Sequence, residues 1–144
     1  MEMAAQTMAE KRIGSLLVIE ADEMVGIVTE TDVVRKGMAF HLPASSTRVG
    51  AVMNYPLIQI DINRTVRNAS RLMAEKQIRH LGVTEDNKVV GLLSVRDLVK
   101  MVSGGTSPDS FAIHNAAHLV HRSIVWLKAR FQGKPMRDPA STTG

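Results

Sequence analysis

The chain has 144 residues and no cysteine, which excludes disulfides, thiolate nucleophiles and cysteine-based zinc sites. An apolar fraction of 44% is typical of a soluble globular protein, and an aromatic fraction of 3% indicates an aliphatic core. The net charge of +4 is concentrated at the carboxyl end, where residues 104–144 carry five Lys or Arg against two Asp.

Helix and strand patterns alternate through the first 39 residues. Apolar residues at helical spacing predict a helix that closes at Met8–Arg12. Gly14 is predicted to end this helix, because glycine tolerates a positive φ. The apolar runs Ser15–Glu20 and Met24–Val28 predict a hairpin, and a second helix is predicted from Thr29 to about residue 38. This unit therefore reads helix, strand, strand, helix.

A second unit follows a predicted linker at residues 40–48, which contains Pro43 and a Ser-Ser-Thr run. It begins with an extended segment at residues 52–60, and Thr65 is the predicted N-cap of the helix Val66–Lys76. Two strands and a last helix complete the unit: Arg79–Thr84, Val89–Leu93 and Ser94 to about Val102.

The two units are copies of one another at a single offset of 65 residues. The heptapeptide GIVTETD at residues 26–32 returns as GLLSVRD at residues 91–97, and Met8–Lys11 returns as Met73–Lys76. A fixed offset held over about thirty residues indicates an internal duplication. The extended segment of the second unit has no counterpart ahead of the first, so the first repeat begins at its helix.

The carboxyl end has a different pattern. Ser107 and Pro108 are typical of an N-cap followed by a first helical residue, and a long amphipathic helix is predicted to about Phe131. Lys134–Gly144 is predicted to be disordered. The apolar residues of this helix are too many for a solvated tail, so we expect it to cover the place of the missing strand or to pack on a second copy.

This duplicated pattern resembles a tandem pair of CBS domains (cystathionine beta-synthase domains, together called a Bateman module). The resemblance rests on the repeated helix–strand–strand–helix unit with Met-Ala-Glu-Lys on its first helix and the heptapeptide at its last turn. Val52–Asn54 is similar to the Val-Met-Thr that often opens a repeat. Ile78–Val83 also matches, except that Gly82 stands where Pro is usual.

The resemblance, which covers residues 3–103, implies an α/β (α+β) fold. We expect two pseudo-symmetric repeats, each a small sheet with two helices, and a C-terminal helix. The expected divisions are residues 1–39 for a first repeat truncated at its N-terminus, 40–48 for the linker, 49–103 for the second repeat, and 104–144 for the basic helix and tail.

The resemblance also implies a regulatory, non-enzymatic function. Such pairs bind AMP, ADP, ATP or S-adenosylmethionine in clefts between their repeats, and often dimerise. We expect a homodimer, since apolar residues crowd the helices: Val33, Val34, Leu98, Val99, Met101 and Val102. The first residues lack the features of a signal peptide, and the apolar runs are too short to span a bilayer, so we expect a cytoplasmic protein without a membrane partner.

Thr29 and Asp32, like Ser94 and Asp97, have two interpretations. Ser/Thr-x-x-Asp before an apolar run is a capping box, which would make these residues structural. The residues alone favour the capping box, and the resemblance adds a compatible role, with each Asp at the ribose of a nucleotide and each hydroxyl beside it, since a carboxylate can accept both ribose hydroxyls. We favour ribose binding, and we expect Asp32 to be the better site because Asp97 would face the missing strand.

The resemblance assigns two further groups of residues. The adenine side would be formed by residues before and at the start of the second repeat's strands: Asn54, Tyr55, Pro56, Leu57 and Ile78. Arg79 and His80 would contact phosphate, because an Arg fork can hold phosphate bidentately. The alternative, a solvated strand end, stays open for both.

Other patterns give no catalytic machinery. His114, His118 and His121 would share one face of the predicted helix, but no neighbouring carboxylate completes a metal site, so exposed histidines are the preferred interpretation. The leading function is therefore a ligand-sensing module. The alternative is an interaction or scaffold protein that acts through its basic helix on nucleic acid or a protein partner.

Overall fold

The computed structural model describes residues 1–105 and 107–116, together with the backbone of residues 126–128. The described residues form two structural units. The first contains residues 1–56 and the strand at 126–128, and the second contains the described residues from 57 to 116. Each unit has a three-stranded sheet and helices, which confirms the α/β (α+β) fold class.

The first unit contains a helix, a hairpin and a short helical segment. Its elements are α1 (Glu2–Lys11), β1 (Ser15–Glu20), β2 (Glu23–Thr29), α2 (Glu30–Asp32), a π-helical turn (Val33–Gly37), and 3₁₀ turns at Met38–Phe40 and Val49–Ala51. β1 and β2 pair antiparallel, with a register shift between Val18 and Ile19. The predicted strand Ser15–Glu20 is confirmed, and apolar side chains of β1, β2 and α1 form the core of the unit.

The second unit repeats this plan. Its elements are β3 (Gln59–Asp61), α3 (Val66–Lys76), β4 (His80–Glu85), β5 (Lys88–Ser94), α4 (Val95–Ser103) and a 3₁₀ turn (Ile113–Ala116). The predicted bounds of α3 are confirmed, and so is Thr65 as its N-cap, since the Thr65 hydroxyl accepts from the Asn68 N–H. β3 pairs parallel with β4, and β4 pairs antiparallel with β5.

The first sheet is completed by a strand from the carboxyl end, β6 (Trp126–Lys128). β6 pairs parallel with β1, and Trp126 lies opposite Leu17. In the second unit Gln59 of β3 lies opposite Gly82, which is the residue of β4 that corresponds to Leu17 at the offset of 65. β6 therefore pairs with β1 in the same register as β3 pairs with β4. The place of the missing leading strand is therefore filled by strand pairing.

The predicted long helix from Pro108 to Phe131 is wrong wherever the structure describes it. Residues 113–116 form a 3₁₀ turn and residues 126–128 form a strand, while the rest of that prediction, like the tail at 134–144, lies outside the described residues. The carbonyls of Pro108 and Phe111 accept hydrogen bonds from the first N–H groups of α3, at 3.1 and 3.0 Å. Ile113 is fully buried in the second core. This segment therefore caps α3 instead of starting a helix.

The predicted end of α1 at Gly14 is also wrong. Arg12 is the left-handed residue, with φ 53°, and Gln77 ends α3 in the same way with φ 53°. Both lie at the same position of the duplicated motif. Neither is a glycine, so the usual sequence signal for a left-handed residue at a helix end is absent at both positions.

The apolar helix residues expected at a dimer interface divide into two groups. Leu98 and Met101 are buried in the second core, whereas Val34, Val99 and Val102 are 54%, 59% and 45% exposed. The homodimer itself stays a prediction. Within the part of the chain that the structure describes, none of the helices is long and apolar enough to cross a bilayer.

Candidate functional site

Asp32 lies where β2 ends, and a capping box positions it. The N–H and the hydroxyl of Thr29 both donate to Asp32 Oδ2, at 3.0 and 2.6 Å. The Asp32 N–H donates in return to the Thr29 hydroxyl, at 3.2 Å. The capping-box interpretation is thus confirmed, and the carboxylate is buried.

Two side chains from elsewhere in the first unit complete the surroundings of this carboxylate. Asn54 Nδ2 donates to Asp32 Oδ2 at 2.9 Å. The Lys36 ammonium lies 2.9 Å from Asp32 Oδ1 and donates to Asn54 Oδ1 at 2.7 Å. Asp32, Asn54 and Lys36 therefore form a closed polar triad, which we call the Asp32 triad.

The backbone holds Asn54 in this position. Its N–H donates to the Ile27 carbonyl at 2.8 Å, and its own carbonyl accepts from the Ile27 N–H at 3.0 Å. The approach requires a glycine beside it, because a Cβ on Gly26 would lie 2.7 Å from the Asn54 carbonyl oxygen. The first residue of the duplicated heptapeptide therefore serves the approach of the segment that carries Asn54.

The electrostatics of the triad favour an ionised carboxylate. Burial by itself would raise the pKa of Asp32, but the hydrogen bond from Thr29, the ammonium of Lys36 and the amide of Asn54 together outweigh burial. The pKa of Asp32 is therefore held below its ordinary value. An ionised carboxylate with fixed donors can accept hydroxyl groups from a ligand, provided that one of its present partners moves.

The second unit contains the same capping box at Ser94 and Asp97. The N–H and the hydroxyl of Ser94 donate to Asp97 Oδ2 at 2.9 and 2.5 Å. The position that corresponds to Lys36 is Met101, which is buried in the core. The two carboxylates thus share their backbone setting and differ in their neighbours.

The residues predicted for the adenine side lie in both units. In the first unit Asn54 joins the triad, while Tyr55 and Pro56 are exposed and joined by a cis peptide bond. In the second unit Leu57 is buried and Ile78 is half-buried against the core. Their contact with adenine stays a prediction.

Two contacts explain why glycine stands at position 82, where Pro is usual in the family. Its N–H donates to the Ile58 carbonyl at 2.9 Å, a bond that proline cannot make. A Cβ at this position would lie 2.8 Å from Leu57 Cδ2. The glycine therefore allows Leu57 to pack closely on β4.

Arg79 and His80 lie beside Ser94 in the second unit. The Arg79 carbonyl accepts from the Val95 N–H at 3.0 Å, and His80 lies opposite Ser94 in the β4–β5 ladder. Arg79 is exposed and His80 is half-buried. The prediction that these two side chains bind phosphate is untested.

Sequence reasoning missed Lys36 altogether. The available signal was its spacing from Asp32, because an acid followed four residues later by a lysine is a favourable pair on one helix face. Of the three histidines considered as metal ligands, His114 is exposed in a 3₁₀ turn, and His118 and His121 lie outside the described residues. Among the described residues no group of three potential ligands lies close enough to hold a metal ion.

Comparison with known proteins identifies the repeat. The CBS domain family model matches residues 1–39 and 49–104. A mitochondrial CBS domain-containing protein of Arabidopsis thaliana, CBSX3, is 33% identical over 104 residues, which are 69% of this chain and 50% of the relative. The chain thus spans about half the length of that relative.

Solved structures agree with this match. A protein with CBS domains from Burkholderia ambifaria MC40-6 has a TM-score of 0.68 and 37% identity, covering 73% of this chain and 77% of its own. The CBS domain pair of protein MJ0100, solved with 5′-methylthioadenosine and S-adenosyl-L-methionine, has a TM-score of 0.60 at 20% identity, covering 72% of this chain and 82% of its own. That likeness concerns the fold. On the family match and the duplicated motif, this chain belongs to the CBS domain family, as a tandem pair.

Proposed function

We propose that this chain is a regulatory module that binds an adenosyl ligand at Asp32 and signals through a change in conformation. The observation that carries the proposal is a buried carboxylate just after the end of β2, fixed by Thr29 and Asn54. A carboxylate held in this way can accept the two hydroxyls of a ribose. Proteins built from CBS domain pairs are regulatory, and the pair of MJ0100 was solved with two adenosyl compounds.

The test is a titration of the full chain with AMP, ADP, ATP, adenosine and S-adenosylmethionine, followed by thermal shift and calorimetry. Ligand binding to the folded state raises the melting temperature. Asp32→Ala should weaken the affinity about tenfold or more, since it removes charge-assisted hydrogen bonds of about 1.5–3 kcal/mol each. Glu10→Ala, which removes an exposed acid from α1, is the matched control.

Three results would contradict the proposal. Binding by none of the five compounds would leave the site without an adenosyl ligand. Equal binding by Asp32→Ala and the wild type would place the ligand elsewhere. Loss of binding in Asp97→Ala alone would transfer the function to the second repeat. Circular dichroism of each variant separates lost binding from lost folding.

A further inference from the structure

The acceptor capacity of Asp32 is nearly filled in this structure. Oδ2 accepts three hydrogen bonds, two from Thr29 and one from Asn54. Oδ1 pairs with the Lys36 ammonium at 2.9 Å. A carboxylate offers about four lone-pair positions in all. The two hydroxyls of a ribose diol would together need both lone-pair positions of Oδ1, and Lys36 occupies one of them.

Lys36 is placed so that it can leave that position. Its side chain is 41% exposed, whereas that of Asp32 is 9% exposed, so the ammonium stands between a buried anion and water. Lysine is a point charge on a flexible four-carbon stem, so its ammonium can take another anionic partner without movement of the backbone. Asn54 and Thr29, in contrast, are tied to the backbone ladder and to the capping box.

Displacing Lys36 has a consequence that depends on the ligand. If the Lys36 ammonium moves away from Asp32 and finds no other anion, its ion pair is lost, and this loss opposes ligand binding. A nucleotide carries its phosphate on the same ribose whose hydroxyls would take Oδ1, so it can supply that new anion. Adenosine supplies none, and the sulfonium of S-adenosylmethionine adds a positive charge beside Lys36.

We propose that Lys36 is a specificity-determining residue, which makes the Asp32 site select phosphorylated nucleosides over uncharged or cationic adenosyl compounds. This inference rests on the proposed function and adds the ligand class. On binding, the diol takes Asp32 Oδ1 and the ammonium moves from the carboxylate to the phosphate. The second repeat carries Met101 at the corresponding position, so the selection is particular to the first repeat.

The chain offers its own substitution for the test, because Lys36→Met copies the residue of the second repeat. Arg35→Met is the matched control, since Arg35 is an exposed cation on the same helical segment and the change in charge is equal. The affinities of AMP, adenosine and S-adenosylmethionine are measured by calorimetry on the full chain. Melting temperatures without ligand show that each variant is folded.

The expected result is a change in the ratio of two affinities. The wild type should bind AMP about tenfold or more tightly than adenosine, the size of one charge-assisted hydrogen bond. Lys36→Met should bind AMP more weakly and adenosine at least as tightly as the wild type, which removes most of that preference. Arg35→Met should keep it. Added salt should weaken AMP binding to the wild type more than adenosine binding.

The outcomes separate this inference from the proposed function. If AMP binds through Asp32 but its preference over adenosine is the same in Lys36→Met, the role of Lys36 is refuted and the proposed function stands. A wild type that binds S-adenosylmethionine more tightly than AMP also refutes only the selection. If the wild type binds none of these three compounds and neither ADP nor ATP, both fail together.

Discussion

Truncation after residue 116 removes β6 and leaves the outer edge of β1 unpaired, whereas β4, its counterpart in the second repeat, keeps β3. The truncated chain therefore contains its own reference, one repeat with a complete sheet and one without. A second truncation, after residue 130, keeps β6 and serves as the external control.

The loss of stability on removing β6 can be estimated from the position of β1 in the fold. Leu16, Leu17 and Val18 are at most 1% exposed, so β1 is an interior strand and not a natural edge. Losing the three paired positions removes a few backbone hydrogen bonds of about 0.5–1.5 kcal/mol net each, or about 2–4 kcal/mol together. Against a typical domain stability of about 5–15 kcal/mol this is a large loss. The melting temperature should fall by about 10–20 °C.

Amide hydrogen exchange by mass spectrometry gives the local assay. Peptides that cover β1 should lose protection in the shorter truncation and keep it in the longer one. Peptides that cover β4 should keep most of their protection in both. Equal melting temperatures for the two truncations, with equal protection of β1, would refute the assignment of β6 as the leading strand of the first repeat.

Three further predictions follow from other contacts. Gly82→Pro should destabilise the protein by about 2–4 kcal/mol in urea denaturation, because the Ile58 carbonyl loses its donor and Leu57 is crowded; unchanged stability would contradict that packing. Since the pKa of Asp32 is lowered in the folded state, its contribution to stability is present above the ordinary pKa of an aspartate and is lost as the pH falls through the lowered pKa. The difference in melting temperature between the wild type and Asp32→Asn should therefore shrink with acidification, and a constant difference would oppose it. Val99 is exposed on an apolar groove of about 940 Å³ between α3 and α4. Val99→Glu should therefore convert the predicted homodimer to a monomer, as measured by light scattering. A wild type that is already monomeric would refute the homodimer.

The elements that the sequence predicts well are those whose signals are local and occur twice. The strand Ser15–Glu20 and the helix Val66–Lys76 have the predicted bounds. The Thr29 and Ser94 capping boxes form as expected, because a hydroxyl and a carboxylate three residues apart suffice to satisfy the first N–H groups of a helix. Because the chain is duplicated at a fixed offset, each of these sequence signals occurs a second time and supports the same assignment.

The elements that the sequence could not predict depend on distant partners. Trp126–Lys128 forms a strand because β1 offers an unpaired edge about a hundred residues earlier, and nothing within its own segment distinguishes it from an amphipathic helix. Arg12 ends α1 in the left-handed conformation although Gly14 lies two residues later. Long-range pairing thus outweighs local propensity for β6, whereas the end of α1 is closed locally, by hydrogen bonds from the Arg12 and Ile13 N–H groups to the carbonyls of Ala9 and Met8.

The contacts of the Asp32 triad were also not predictable from the local sequence. The capping box could be predicted, but the partners of the carboxylate are a residue 22 positions later and a lysine one helical turn later on the same face. Asn54 reaches Asp32 because its backbone pairs with Ile27, and this bridge depends on the absence of a side chain at Gly26. A sequence carries the residues of such a site without indicating their contacts.

Comparison of the two repeats separates structural from functional chemistry in this family member. Both repeats keep the hydroxyl, the carboxylate and the capping box, so this part of the motif is fully explained by the need to begin a helix. A ligand is not required to account for it. In the first unit Asn54 and Lys36 also contact the carboxylate, and the hydrogen bond from Thr29 together with these two partners lowers the pKa of this buried acid. If the two repeats differ in ligand binding, the cause should be sought in the residues that differ around the two carboxylates, and Lys36 and Asn54 are two whose contacts with Asp32 are established.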